Sequence, residues 1–228
     1  MRFEEAAARL ACLRDRAAEP AGPAGRPRLP PAPAALMPVF TDGRPPTEIR
    51  LGETAGDRPA AVLVLIVPGD TGQAVVVLTE RATYDGLHSG EVSFPGGKVE
   101  PGDSDLEATA LREAAEEVSL DPVAAGLEVI GRLEVVRIPV SGFSLTPILA
   151  VGRHRPDLRG SPTEVARIIE APLAAFLPGA PIEVVERMVR EWPLRYGGYR
   201  MDGLHVWGAT ARILGQLGAL VAALGPEE

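Results

Sequence analysis

Three glutamates lie close together in the middle of the chain. Glu113, Glu116 and Glu117 are spaced i, i+3 and i+4, so a helix would place their carboxylates on one face. Like charges at this spacing repel one another, and a divalent cation relieves that repulsion because it takes oxygen ligands from several carboxylates at once. Mg²⁺ would suit such a site, since it leaves positions for water and for substrate phosphates. A solvated charged face, with Arg112 paired to Glu116, is the alternative for such a segment standing alone.

The helix that carries these carboxylates is predicted for residues 105–118. Ser104 followed by Glu107 is a capping-box signature for its start. Just before it, Gly96 and Gly97 allow a close backbone approach or a positive φ. A second face of the helix is predicted to pack on a sheet through apolar residues at helical spacing, namely Ala108, Leu111, Ala114, Ala115 and Val118.

Strands are predicted on both sides of this helix, because apolar runs there suit a buried sheet. The predicted strands cover residues 60–67, 74–79, 91–94, 127–136 and 143–151. The turn at residues 69–72 would make a hairpin of the first two strands, and Asp202-Gly203 would join residues 195–201 to 204–207 in a later hairpin. A closing helix follows, opened by residues 205–214. Since helices and strands interleave without regular βα repetition, a doubly wound parallel fold is disfavoured.

The first quarter of the chain differs in composition from the rest. Residues 3–16 carry apolar side chains at helical spacing, and we interpret residues 1–17 as a docked N-terminal helix. Proline, alanine and glycine dominate the start of residues 18–56, which we interpret as a linker and lead-in. Residues 57–226 would then form the main domain.

Composition excludes several classes of protein. Of the 228 residues, 46% are hydrophobic and 24% are charged, which is typical of a soluble globular protein. The net charge of −8 disfavours a nucleic-acid partner, because duplex binding requires a basic surface. We identify no signal peptide and no membrane span, and a single cysteine, Cys12, favours a reducing compartment such as the cytoplasm. The sequence leaves the oligomeric state open, a homodimer included.

The stretch around the three glutamates resembles the Nudix box, whose usual form is a glycine, five residues, a glutamate, seven residues and then R-E-U-x-E-E-x-G-U, with U an apolar residue. Residues 112–120, REAAEEVSL, match the second half at every position except Ser119, where the family has glycine. Gly97 lies 15 residues before Arg112, one more than usual, and Asp103 takes the place of the first acidic residue. The family implies an α/β/α sandwich, an α+β fold in which a mixed β-sheet lies between the box helix and a C-terminal helix.

The longer spacing, with the residues that lead into the box, is similar to the coenzyme A pyrophosphatase branch of that family. The branch carries LLTxR and then H-x-G-Q-V-x-F-P-G-G, and this chain has LTER at residues 78–81 and HSGEVSFPGG at residues 88–97. Glu91 stands in place of the glutamine, and Gly86 in place of a basic residue often found there. SGFSLTP at residues 141–147 is similar to the S-G-F-x-V-T-P of the same branch.

The resemblance implies Mg²⁺- or Mn²⁺-dependent hydrolysis of the pyrophosphate bond of coenzyme A or an acyl derivative, with 3′,5′-ADP and (acyl-)phosphopantetheine as products. The catalytic and metal-binding residues that it implies are Gly97 through its carbonyl, Arg112, Glu113, Glu116 and Glu117. The expected substrate contacts, each with an ordinary alternative as a surface or turn residue, are Arg81, His88, Lys98, Ser141 and Phe143. Two alternatives stay open: a Nudix hydrolase of ADP-ribose, NADH or a nucleoside triphosphate, and a nucleotide-sensing module without catalysis.

Three further residues are given structural interpretations. Trp207 is predicted to fill the core at the start of the closing helix. His154 and His205 have no partner at metal-ligand spacing, so a zinc site is not expected.

Overall fold

The computed structural model describes six segments of the chain, residues 1–18, 29–45, 58–82, 90–138, 141–189 and 192–225. Within them lie twelve β-strands, arranged as one large and one small sheet, and three α-helices. The helices are α1 (Phe3–Ala18), α2 (Leu106–Val118) and α3 (Gly208–Ala223). None of these three described helices is long and apolar enough to cross a membrane.

The large sheet contains eight of the described strands. They are β2 (Arg58–Pro68), β3 (Ala74–Arg81), β4 (Val92–Ser93), β5 (Gly96–Lys98), β6 (Leu127–Arg132), β7 (Val136–Ile138), β8 (Phe143–Gly152) and β9 (Val165–Pro172). Their order is β4-β3-β2-β8-β6, with β5 paired to β2, β7 to β8 and β9 to β3. The sheet is mixed because β2 runs antiparallel to β3 and β5 but parallel to β8.

The large sheet has a hydrophobic core on each face. On one face, Val62, Val64 and Ile66 of β2 pack in the core that α1 and α3 cover. On the other face, Leu63 and Leu65 pack in the core beneath α2. Burial on both sides explains why β2 is a continuous apolar run rather than an alternating one. The fold is therefore the predicted α/β/α sandwich, with the box helix on one face and the C-terminal helix on the other.

One predicted strand, residues 127–136, is broken into β6 and β7, which both pair with β8. Arg132 pairs with Ile148 and Val136 pairs with Leu145, so the chain advances by four residues (132 to 136) while β8 advances by three (148 to 145). The extra residue cannot join the ladder, and the strand is interrupted there.

Apart from one hairpin, the small sheet is a feature that the sequence did not predict. It consists of β1 (Val39–Phe40), β10 (Glu183–Val189), β11 (Trp192–Met201) and β12 (Leu204–Val206), with β11 paired to the other three. The predicted hairpin between β11 and β12 is confirmed, and its turn residue Asp202 has a φ of 48°.

The N-terminal helix α1 packs into the core between the large sheet and α3, which we call the main core. Phe3, Ala6 and Leu10 of α1 are buried there, and Leu36, in a 3₁₀ turn at Ala34–Leu36, is fully buried. The proposed boundaries after residues 17 and 56 stay predictions. The contacts of α1 mean that its loss would expose apolar surface.

Candidate active site

The box helix α2 begins and ends with residues that satisfy its terminal backbone groups. Asp105 is the N-cap, and its side chain accepts a hydrogen bond from the amide of Ala108. The predicted cap at Ser104 is therefore wrong by one residue. At the other end, Ser119 adopts the left-handed conformation that the glycine of the Nudix box would provide, with φ 56° and ψ 35°. Its Oγ donates a hydrogen bond to the carbonyl of Arg159, so the serine keeps the helix end in place.

The three glutamates of α2 differ in burial. The side chain of Glu116 is 57% exposed, whereas that of Glu117 is only 6% exposed. Glu117 lies next to Ala114 and Val118, which pack against the sheet. The three carboxylates therefore do not share one solvated face, because Glu117 stands at the border between that face and the core.

The glycine pair of β5 brings the backbone against the box helix and the central strand. A side-chain carbon on Gly97 would lie 2.5 Å from Oε1 of Glu113, and one on Gly96 would overlap the carbonyl oxygen of Ala61. Only glycine leaves room for both approaches. The backbone of Gly97 therefore lies directly against the Glu113 carboxylate.

Glu117 is a buried carboxylate with incomplete compensation for its charge. It accepts a hydrogen bond from the amide of Gly96 at 3.1 Å, and Nη1 of Arg81 lies 4.0 Å from its Oε1. Burial nevertheless raises the pKa of Glu117 to about 7, and the negative charges of Glu113 and Glu164 add to the shift. A bound cation would favour its ionised form.

Arg112 binds three carboxylates at once. Its Nε and Nη2 donate to Asp103 at 2.9 and 3.1 Å, and its Nη1 donates to Glu113 and to Glu116, each at 3.1 Å. The hydrogen bonds from Arg112 hold the pKa of Asp103 well below its ordinary value, whereas burial raises the pKa of Glu113. Asp103 thus anchors the guanidinium, and the guanidinium orients the two glutamates.

A cavity of about 460 Å³ is lined by residues of α2, β5 and the start of α3. It brings together seven of the residues predicted for the site: Arg81, Gly97, Lys98, Glu113, Glu117, Ser141 and Phe143. Arg112 and Glu116 do not line it: Arg112 is connected to it through its hydrogen bond to Glu113, and Glu116 only through its hydrogen bond from Arg112. His88 lies outside the described residues.

Comparison with known proteins decides the family. The NUDIX domain model matches residues 57–158. The uncharacterized Nudix hydrolase NudL of Salmonella paratyphi B is 41% identical over 170 residues, which cover 72% of this chain and 83% of NudL. NudL of Salmonella newport is similar to the same extent. This chain is a Nudix hydrolase.

A solved structure agrees with the architecture of this Nudix hydrolase. The crystal structure of RenU, a Nudix hydrolase from M. smegmatis, has a TM-score of 0.51 at 19% identity, over 76% of this chain and 91% of that chain. At this identity the likeness concerns the fold alone. Family membership makes the protein an enzyme that acts on pyrophosphate bonds of nucleoside diphosphate derivatives.

Nudix hydrolases generally use divalent metal ions such as Mg²⁺, and the donor groups of the cavity fit such an ion. Glu113 and Glu117 offer carboxylate oxygens to the cavity, and Glu117 lacks a close counter-charge. In the described part of the chain, no three acidic, histidine or cysteine side chains form a ready-made metal cage. Arg112 instead draws Glu113 and Glu116 to itself, so a metal would share these carboxylates with the guanidinium.

Glu164 and Trp207 are among the cavity residues that were not predicted as site residues. Glu164, just before β9, is exposed and lines the cavity, but an acidic residue before an apolar strand is too common to signal a site. Trp207, predicted to fill the core, packs on a small cluster with Tyr196 and also lines the cavity. Its apolar character indicated burial, and only the arrangement of β12 and α3 shows that part of it stays exposed.

Proposed function

We propose that this Nudix hydrolase cleaves the pyrophosphate bond of coenzyme A or an acyl derivative to 3′,5′-ADP and (acyl-)phosphopantetheine. One observation carries the proposal: segments that are distant in sequence, and that resemble the coenzyme A branch, line the same cavity as the box. Arg81 comes from β3, and Ser141 and Phe143 come from the turn and start of β8, yet all three line the cavity of Glu113 and Glu117.

Two polar atoms at this cavity lack partners and suit a substrate. Nε of Arg81 and Oγ of Ser141 are buried and make no hydrogen bond to any residue that the structure describes. A buried donor without an acceptor costs about 1–3 kcal/mol, which a phosphate oxygen would recover. We assign both groups, with Lys98, Phe143 and His88, to substrate binding.

The box residues would hold the metal and position the reacting groups. Glu113, Glu116, Glu117 and the carbonyl of Gly97 would bind Mg²⁺ or Mn²⁺, which when bound polarises a phosphoryl oxygen and acidifies an attacking water. Arg112 holds two of these carboxylates in place. In the reaction, the water oxygen forms a bond to one phosphorus and gives up a proton to solvent, the bond from that phosphorus to the bridging oxygen breaks, and the second phosphate leaves with the electron pair. On the ground of its cysteine content, we place this chemistry in the cytoplasm.

The test is a substrate panel with full-length protein and Mg²⁺ or Mn²⁺, read out by product masses. Coenzyme A, dephospho-coenzyme A, ADP-ribose and dGTP are compared, with E117Q as the inactive control. We expect coenzyme A to have the highest kcat/KM and dephospho-coenzyme A to be at least about tenfold poorer, because loss of the 3′-phosphate removes a charge-assisted hydrogen bond of ~1.5–3 kcal/mol. Faster cleavage of ADP-ribose or dGTP would overturn the substrate assignment and leave the Nudix chemistry intact.

A further inference from the structure

Trp207 is the cavity end of a column of three stacked rings, formed by His205, Tyr196 and Trp207. The rings of Trp207 and Tyr196 stack with centroids 4.8 Å apart and 29° between their planes. Tyr196 stacks in turn on His205, with centroids 6.2 Å apart. Tyr196 is buried, whereas Trp207 is partly exposed and lines the cavity that contains Glu113 and Glu117.

The backbone holds this column in place. Tyr196 lies within β11 and pairs with Val185 of β10, and His205 lies in β12 and pairs with Arg200 of β11. Trp207 follows β12 directly in an extended conformation and is the N-cap residue of α3. Because a strand ends just before the indole and a helix begins just after it, its position is set before a ligand arrives, and little ordering entropy is lost on binding.

Among the described residues that line the cavity, the other partly exposed aromatic residue, Phe143, is less suited to bind a flat group. The guanidinium of Arg58 lies 4.3 Å from the ring centroid of Phe143, so that ring already has a planar group on one face. Trp207 stacks on an aromatic neighbour and also lines the cavity, which suits a stacking platform.

The charges of the cavity indicate which part of a nucleotide would reach the indole. Acidic side chains line much of it, namely Glu91, Glu113, Glu117 and Glu164. Phosphates would need the metal or the cations Arg81 and Lys98 beside them, whereas an uncharged base meets no such repulsion. A base stacked on an aromatic side chain contributes about 1–3 kcal/mol.

We propose that Trp207 is the platform on which the nucleobase of the substrate stacks. The proposal rests on the proposed function only in taking the substrate to be a nucleotide. It adds a residue that fixes which end of the substrate faces α3.

Tryptophan fluorescence tests the proposal in a variant that keeps Trp207. The chain has two tryptophans, and Trp192 packs against Phe40 with ring centroids 5.6 Å apart and does not line the cavity. In W192F, Trp207 is the sole indole, and we expect 3′,5′-ADP to quench its emission while inorganic pyrophosphate, which has no base, does not. In W207F, 3′,5′-ADP should leave the emission of Trp192 unchanged. If calorimetry shows 3′,5′-ADP bound to W192F and the emission does not change, the proposal is wrong.

Kinetics give a second, independent readout. We expect W207A to raise KM for adenine nucleotide substrates about 5- to 150-fold, the range that corresponds to ~1–3 kcal/mol of stacking, and W207F to raise it less. The matched variant W192F should keep the KM of the parent. An unchanged KM in folded W207A would overturn the platform, and if W207A does not fold, the W192F fluorescence decides.

The outcomes separate this proposal from the proposed function. If ADP-ribose is cleaved and coenzyme A is not, while W192F is still quenched, the platform stands and the coenzyme A assignment is wrong. If coenzyme A is cleaved and W192F with 3′,5′-ADP bound is not quenched, the function stands and the platform is wrong.

Discussion

The buried carboxylate of Glu117 should make the metal-free protein less stable as pH rises. Its side chain is 6% exposed, and burial raises its pKa to about 7 from the ordinary value of 4.5. In the unfolded chain the carboxyl titrates near the ordinary value. Between these two pH values the folded protein keeps a proton that the unfolded chain has released. The folded state binds more protons there, so the free energy of unfolding falls as pH increases.

The size of the effect follows from the shift in pKa. At about 1.4 kcal/mol per pKa unit, a change from 4.5 to about 7 corresponds to a total of ~3 kcal/mol. The penalty is absent well below pH 4.5, grows between the two pKa values and is complete above pH 7. About 2.5 kcal/mol of it lies between pH 5 and pH 8.

Urea unfolding in EDTA at pH 5 and pH 8 measures this penalty. E117Q cannot titrate at this position, so the stability difference between the parent and E117Q should change by about 2.5 kcal/mol between the two pH values. E116Q is the matched control, because Glu116 is 57% exposed, and it should follow the parent. Mg²⁺ at pH 8 should stabilise the parent far more than E117Q. Equal pH dependence in the parent and in E117Q would refute the reasoning.

Two further substitutions test the glycine pair of β5 and the N-terminal helix α1. In G97A the new methyl group would lie 2.5 Å from Oε1 of Glu113, so the carboxylate must move and turnover should fall about 10²-fold, while G102A, which has open space around it, should keep the parent kcat. Parent-like turnover in folded G97A would contradict the role of Glu113. L10A should lower the free energy of unfolding by ~2–5 kcal/mol because Leu10 is fully buried in the main core, with kcat unchanged well below Tm. A loss of less than about 0.5 kcal/mol would show that α1 is not part of that core.

The elements around the site were predictable where the signal is local. The residues that start and end the box helix α2 lie next to it in the sequence. Its predicted bounds lie within one residue of the observed ones. The apolar run of residues 60–67 likewise predicts β2, which is buried on both faces. In both cases neighbouring residues contain the information that decides the structure.

The features that were missed depend on contacts between distant segments. Among the described strands, β10 pairs only with β11, and its side chains are exposed or half-buried, so its sequence shows no clear alternation. The buried Glu117 accepts a hydrogen bond from the amide of Gly96, which lies 21 residues earlier. Helical periodicity places Glu117 beside Ala114 but cannot tell whether a residue at the border of a face is covered.

At Glu117, the acid that the proposed metal site would use opposes the stability of the folded protein. A glutamine there would avoid the cost of an ionised carboxylate next to the core, and we expect the parent to lose stability relative to E117Q as pH rises through 7. The same lack of a close counter-charge leaves Glu117 free to bind a cation, because Arg81 at 4.0 Å offsets its charge only in part. Arg112, by contrast, neutralises Asp103 and holds Glu113 and Glu116 from outside the cavity. Arg112 therefore fixes the positions of Asp103, Glu113 and Glu116, whereas the charge of Glu117 is offset only in part by Arg81, and we propose that this asymmetry favours a metal ion beside Glu117.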